Sequence, residues 1–179
     1  MPSIISIALR TSIIAAGSYI LYFLSLYWIY QNPFVATPKS LDFFIYVLAM
    51  VVASYVFRFR INQGRYSFWQ GMALCSLTAL KTLLITLVFM ACFLTSLPKI
   101  VEIYKNYQIK AFLAGKAVYL QAMKIEDTKQ KEQTFANIVK DLEKLDNSTW
   151  FRHILQKELF EKLLLSAFLA FVVSALFRN

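Results

Sequence analysis

Histidine is nearly absent from the 179 residues: there is one, His153. That leaves no histidine-based metal cluster, and no Ser-His-Asp triad is read around the single imidazole. The two cysteines, Cys75 and Cys92, lie 17 positions apart in one apolar run. Along a single helix that span exceeds disulfide reach, so they read as packing residues. Four glycines and four prolines leave no Gly-rich phosphate loop and no low-complexity tract. Paired carboxylates are missing from the apolar runs. Charge is scarce as well, at 16% of residues against about 25% in an ordinary soluble domain. No catalytic residue, metal site or cofactor is expected.

What is present is apolar. Hydrophobic residues make up 59% of the chain, aromatics 16%, and mean hydropathy is +0.55. A water-soluble fold of this size keeps too much surface to hide that content. The residues must face lipid. Thr11–Tyr30 carries no charge over twenty residues; Leu41–Phe57 carries only Asp42, Tyr66–Leu97 only Lys81, and Leu163–Phe177 none. About 20 residues of helix cross the hydrocarbon core. The fourth run reaches that length through Leu159 and Phe160, with Glu161 and Lys162 near the headgroups. The expected fold is therefore all-α and polytopic. Four transmembrane helices stand at about 8–30, 41–58, 67–97 and within 150–179, and an extramembrane amphipathic hairpin fills 98–149. A cleaved signal peptide is the competing reading of the first run. Its core is too long for one, and Tyr22, Phe23, Tyr27, Trp28 and Tyr30 form an interfacial belt at its far end.

Lys and Arg in short loops set orientation. Arg58, Arg60 and Arg65 crowd the loop between helices two and three, while the preceding loop has Lys39. With Arg10 and Arg178, this puts both termini in the cytoplasm and residues 98–158 outside. That outer segment holds many lysines, but from Pro98 to Lys162 twelve bases face nine acids. The net charge of +9 is spread over membrane flanks and this near-balanced hairpin, so a nucleic-acid partner is not expected.

In the hairpin, residues 99–125 place Ile100, Ile103, Tyr104 and Tyr107 on one stripe. A second helix begins at Asp127 or Thr128 and presents Phe135 and Leu142. Ser148 or Thr149 is the expected cap of the last helix, with Trp150 as an interfacial anchor. These stripes either cover each other or dock a partner. Small residues four apart mark helix-packing faces: Ala8, Ser12 and Ala16; Ser166, Ala170 and Ser174; and Gly71, Cys75, Thr78 and Thr82 on helix three.

Two cationic features carry functional alternatives. Lys81 lies about ten residues inside the third run, near 15 Å by helical rise. An ammonium there costs about 2.5–3.5 kcal/mol on insertion scales. Either it snorkels, or it meets an acid or phosphate on another molecule. Arg58, Arg60 and Arg65 are either topology signals or, with Lys81, an inner-face clasp for a lipid-linked phosphate.

The basic turn "FRFRINQGRYSFWQGM", the exit "LPKIVEIYKNYQIK", the charged helical insert and the terminal "SALFRN" together resemble the bacterial four-helix membrane proteins grouped as domain of unknown function family 4199. The local motif is Arg58, Arg60, Gly64, Phe68 and Gly71, with Arg65 where many members have a second glycine. The resemblance implies an inner-membrane location in a two-membrane bacterium and no activity. The first functional expectation is a non-catalytic accessory subunit, docked on other membrane proteins or its own copies. The second is an enzyme or accessory acting on lipid-linked phosphate in polyprenyl-phosphate sugar transfer. The third is a small oligomeric transporter.

Overall fold

The computed structural model describes residues 3–34, 40–123 and 127–178, and among these there are helices and turns but no strand. Lys39 of the first loop lies outside the described residues. Four helices are long and apolar enough to cross a membrane: Ile4–Tyr30, Phe43–Ile61, Phe68–Ser96 and Asn147–Phe177. The chain is a multi-pass membrane protein with an all-α fold.

The chain forms two compact units, Met1–Phe93 with Leu155–Asn179, and Leu94–Ile154. In the first unit, α1 (Ile4–Tyr30) begins one turn earlier than expected because Ser3 caps it, its Oγ accepting from the Ser6 amide at 3.3 Å. It stops at Gln31, which turns left-handed at φ 55°. Its inner face runs through Ile7, Ala8, Ser12, Ala15, Ala16, Tyr19, Phe23 and Leu26, the three-and-four spacing of one helical side.

Next, α2 (Phe43–Tyr55) passes into a π-helical stretch, Val56–Ile61, that the sequence did not announce. There the Asn62 amide donates to the Phe57 carbonyl at 2.9 Å, and the Gly64 amide to Arg58 at 2.8 Å. The widened turn re-aims side chains, Arg58 among them. Gln63 at φ 50° and Gly64 at φ 84° reverse the chain, and at the second of these a side chain would be strained. Then α3 (Phe68–Ser96) opens on a reciprocal capping box. Ser67 Oγ accepts from the Gln70 amide, and Gln70 Oε1 from the Ser67 amide, both at 3.2 Å.

In the second unit, α4 (Pro98–Ala114) starts with proline in its first turn, where no amide is needed. The expected continuous helix to residue 125 breaks at Gly115, the poorest helix former available, and α5 (Lys116–Ala122) follows. Asp127 caps α6 (Thr128–Lys144), with Oδ1 accepting from the Lys129 amide at 2.9 Å. Lys105 Nζ donates to the terminal carbonyls of Glu143 and Leu145 at 2.6 and 2.9 Å, a cation placed at the negative end of α6.

The last helix, α7 (Asn147–Phe177), is capped by Asp146 rather than by Ser148 or Thr149. Asp146 Oδ1 accepts from the Thr149 amide at 3.0 Å and Oδ2 from the Ser148 hydroxyl at 2.8 Å. A carboxylate wins the position because it also faces the positive helix end. The Thr149 and Ser148 bonds pull the Asp146 carboxyl down from 3.8 to about 2. A depressed carboxyl contributes above its unfolded value and loses that contribution as pH falls from 3.8 towards 2. The expected NMR titration midpoint of Asp146 is near 2, rising towards 3.8 in Ser148→Ala.

Candidate functional site

The bundle's interior is threaded by polar side chains, and each step of the thread joins different segments of the chain. Asp42 stands at the N-cap position of α2, yet its carboxylate makes no cap bond. It forms an ion pair with Lys162 of α7 instead. Asp42 is 1% exposed and Lys162 7%, so both charges are desolvated. Lys162, expected near the headgroups, is thus held inside the bundle by Asp42. The Lys162 ammonium lies 5.7 Å from the Tyr46 ring centre, and the Tyr46 hydroxyl meets Thr86 Oγ1 at 3.2 Å. Glu158, one turn before Lys162, is buried and accepts a long hydrogen bond from Tyr19 at 3.5 Å. The Tyr19 hydroxyl is also 3.5 Å from Met90 Sδ.

A second polar step lies nearer the other ends of these helices. The Tyr66 hydroxyl donates to Ser54 Oγ at 2.8 Å, and Ser54 meets Cys75 Sγ at 3.3 Å. Burial pushes the Tyr66 hydroxyl up to about 12, against the opposing pull of its Ser54 bond. Gly71 lets this corner close. A Cβ there would stand 2.7 Å from Tyr66 Cε1 and 2.9 Å from Ser174 Cβ.

All ten packing residues expected from the sequence are buried: Ala8, Ser12, Ala16, Gly71, Cys75, Thr78, Thr82, Ser166, Ala170 and Ser174. Thr78, Thr82 and Ser174 return their hydroxyls to carbonyls one turn back, at 2.8, 2.8 and 2.5 Å. Their polarity is thereby spent inside their own helices, as lipid requires.

The arginines of the basic turn divide. Arg58 is half-buried and donates through Nη1 to the Phe177 carbonyl at 2.8 Å, while its guanidinium lies 5.0 Å from the Phe59 ring centre. It is a side-chain cap on the negative end of α7. Arg58→Gln is expected to lower stability by about 1–2 kcal/mol and to speed amide exchange in the last turn of α7. Arg60 and Arg65 are exposed. Lys81 follows Phe68 by thirteen residues, about 20 Å of helix axis.

In the second unit the apolar stripes are largely consumed. Ile100, Tyr104, Phe135 and Trp150 are buried, which removes them from a docking surface; Ile103, Tyr107 and Leu142 remain half-buried. Phe135 stacks on Phe112 at 5.0 Å, and Trp150 meets Tyr104 edge-on at 6.0 Å. Leu113 and Val118, 45% and 72% exposed, are among the open apolar residues around Gly115.

Two grooves on the bundle hold about 220 and 150 Å³. Ordinary small-molecule sites hold about 300–1,000 Å³. One is lined by α3 and α7 residues such as Ser76, Ala79 and Ser166, the other by α1 and α2 residues such as Thr11, Ala15 and Ala49. Neither is lined by Asp42, Glu158 or Lys162. Among the described residues no three His, Cys, Asp or Glu side chains gather as metal ligands.

A family model described as "protein of unknown function (DUF4199)" matches residues 10–179. The chain belongs to this family. No curated protein and no solved structure matches it. Membership therefore brings no chemistry with it, and function has to be argued from the bundle itself.

Proposed function

We propose that the chain is a non-catalytic accessory subunit of the bacterial inner membrane that docks on a larger membrane assembly, in envelope biogenesis. The observation that carries this is how the polar groups are used. Asp42 and Lys162, Tyr46 and Thr86, and Tyr66, Ser54 and Cys75 bind one another across helices, which is the chemistry of holding a scaffold. A catalytic centre would instead aim such groups at a cavity. In this reading both termini and the Arg58–Arg65 turn are cytoplasmic, and residues 98–158 are periplasmic. Arg60 and Arg65 then hold the turn at the inner leaflet.

The test is mild-detergent purification of the tagged full chain from native membranes, with cross-linking before solubilisation. A stoichiometric complex that is also recovered by tagging its second member is the expected result. A chain that runs alone, with no cross-linked neighbour, ends the proposal. Reporter fusions at residue 62 and residue 130 should fall in opposite compartments.

A further inference from the structure

We infer that the Lys81 flank of α3 is a docking face for a partner's transmembrane helix that carries an Asp or Glu at mid-membrane depth. This rests on the accessory-subunit reading and adds the chemistry of the partner.

Lys81 is one residue from Thr82, the midpoint of α3. The helix starts at an interface marked by Trp69, which is 77% exposed. From there Lys81 lies about 18 Å along the axis, past the middle of a hydrocarbon core about 30 Å thick. The nearer headgroup layer is then more than 10 Å away, beyond what a snorkelling lysine stem covers. A lipid phosphate is out of reach by the same distance. The ammonium therefore has to be satisfied within the hydrocarbon.

Among the described residues nothing satisfies it. Lys81 makes no hydrogen bond or ion pair among the described residues, whereas the other charges inside the bundle are engaged. Asp42 holds Lys162, Glu158 accepts from Tyr19, and Arg58 binds the Phe177 carbonyl. Lys81 is half-buried, and on the same side Leu84 and Val88 are 54% and 64% exposed. This is a cation at the edge of an open apolar helix face. Its natural complement is a carboxylate on a helix laid against that face, because a charge-assisted bond is strongest where water is excluded.

A second copy of the chain fits poorly. The Tyr46–Thr86 bond sets Tyr46 level with Thr86, five residues beyond Lys81, and Asp42 is one further turn along. The offset is roughly 13 Å in depth. Copies inserted the same way round keep that offset, so their Asp42 and Lys81 cannot meet.

A hydrophobic carbodiimide added to native membranes holding the full chain provides the test. It condenses an ammonium with a touching carboxylate into an amide, the lost water going to the reagent as its urea. Mass spectrometry of the unsubstituted chain should find Lys81 Nζ joined to an Asp or Glu within an apolar, membrane-length segment of another protein. Lys81→Arg should keep recovery of that protein. Lys81→Met should cut it at least tenfold while thermal stability of the subunit holds. A branched peptide joining Lys81 to this chain's own acid overturns the inference, as does a Lys81 left unjoined or full recovery with Lys81→Met. Those outcomes with a complex still present leave the accessory-subunit reading standing; absence of any complex ends both.

Discussion

Asp42→Ala lowers the unfolding free energy of the bundle by about 3–5 kcal/mol, the cost of stranding one buried partner of an ion pair. The reason lies in what remains. Lys162, 7% exposed, keeps its ammonium beneath Tyr46 with its carboxylate gone. Glu158, one turn away on α7, offers a substitute at the favourable i,i+4 spacing. Asp42→Ala/Glu158→Gln should therefore be worse than Asp42→Ala alone. Replacing both charges, as in Asp42→Leu/Lys162→Met, should return stability to within about 1 kcal/mol of the natural chain, since an apolar pair of similar volume needs no desolvation. Reversible unfolding in mixed micelles measures the three variants against the natural chain. Equal losses in Asp42→Ala and the double apolar variant would show that a stranded Lys162 costs nothing beyond the loss of the pair itself.

Gly71→Ala is expected to cost about 1–3 kcal/mol, the range for overpacking. The added methyl would stand 2.7 Å from a ring carbon of Tyr66, itself buried and held by Ser54, so the ring cannot swing aside cheaply. It would also stand 2.9 Å from Ser174 Cβ. Gly71→Ala/Ser174→Gly should recover part of the loss, because it clears one of the two obstacles. The same unfolding assay reads it, and near-ultraviolet circular dichroism of Tyr66 should change in the single variant.

The four spans were legible because uninterrupted apolar length is a direct demand of the hydrocarbon, with little else able to produce it. The buried faces at Ala8, Ser12 and Ala16, or at Ser166, Ala170 and Ser174, are equally open to inspection, since the helical period puts them on one side. The ion pair was not. Asp42 and Lys162 sit 120 residues apart, each at the edge of an apolar run, where a charge ordinarily marks the headgroup boundary. Only the packing of α2 against α7 turns two boundary residues into an internal pair. Arg58 was hidden for a related reason. A π-helical turn has no compositional signature, so nothing in "VFRFRI" says that this arginine is re-aimed at a helix end 119 residues away while Arg60 stays in the open. In the second unit, periodicity located the stripes of Ile100, Tyr104 and Phe135. It could not say that burial would take them.

Both long-range ties reach forward to the same late helix. During synthesis Asp42 and Arg58 leave the ribosome well before Lys162 and Phe177 exist. For the interval in which only the first three spans exist, Asp42 at one end of α2 lacks its Lys162 ion pair and Arg58 at the other lacks the Phe177 carbonyl. Arrival of the last segment neutralises one and engages the other in a single event. A nascent chain cut short before residue 162 would thus lack both ties that fasten α2 to the last helix.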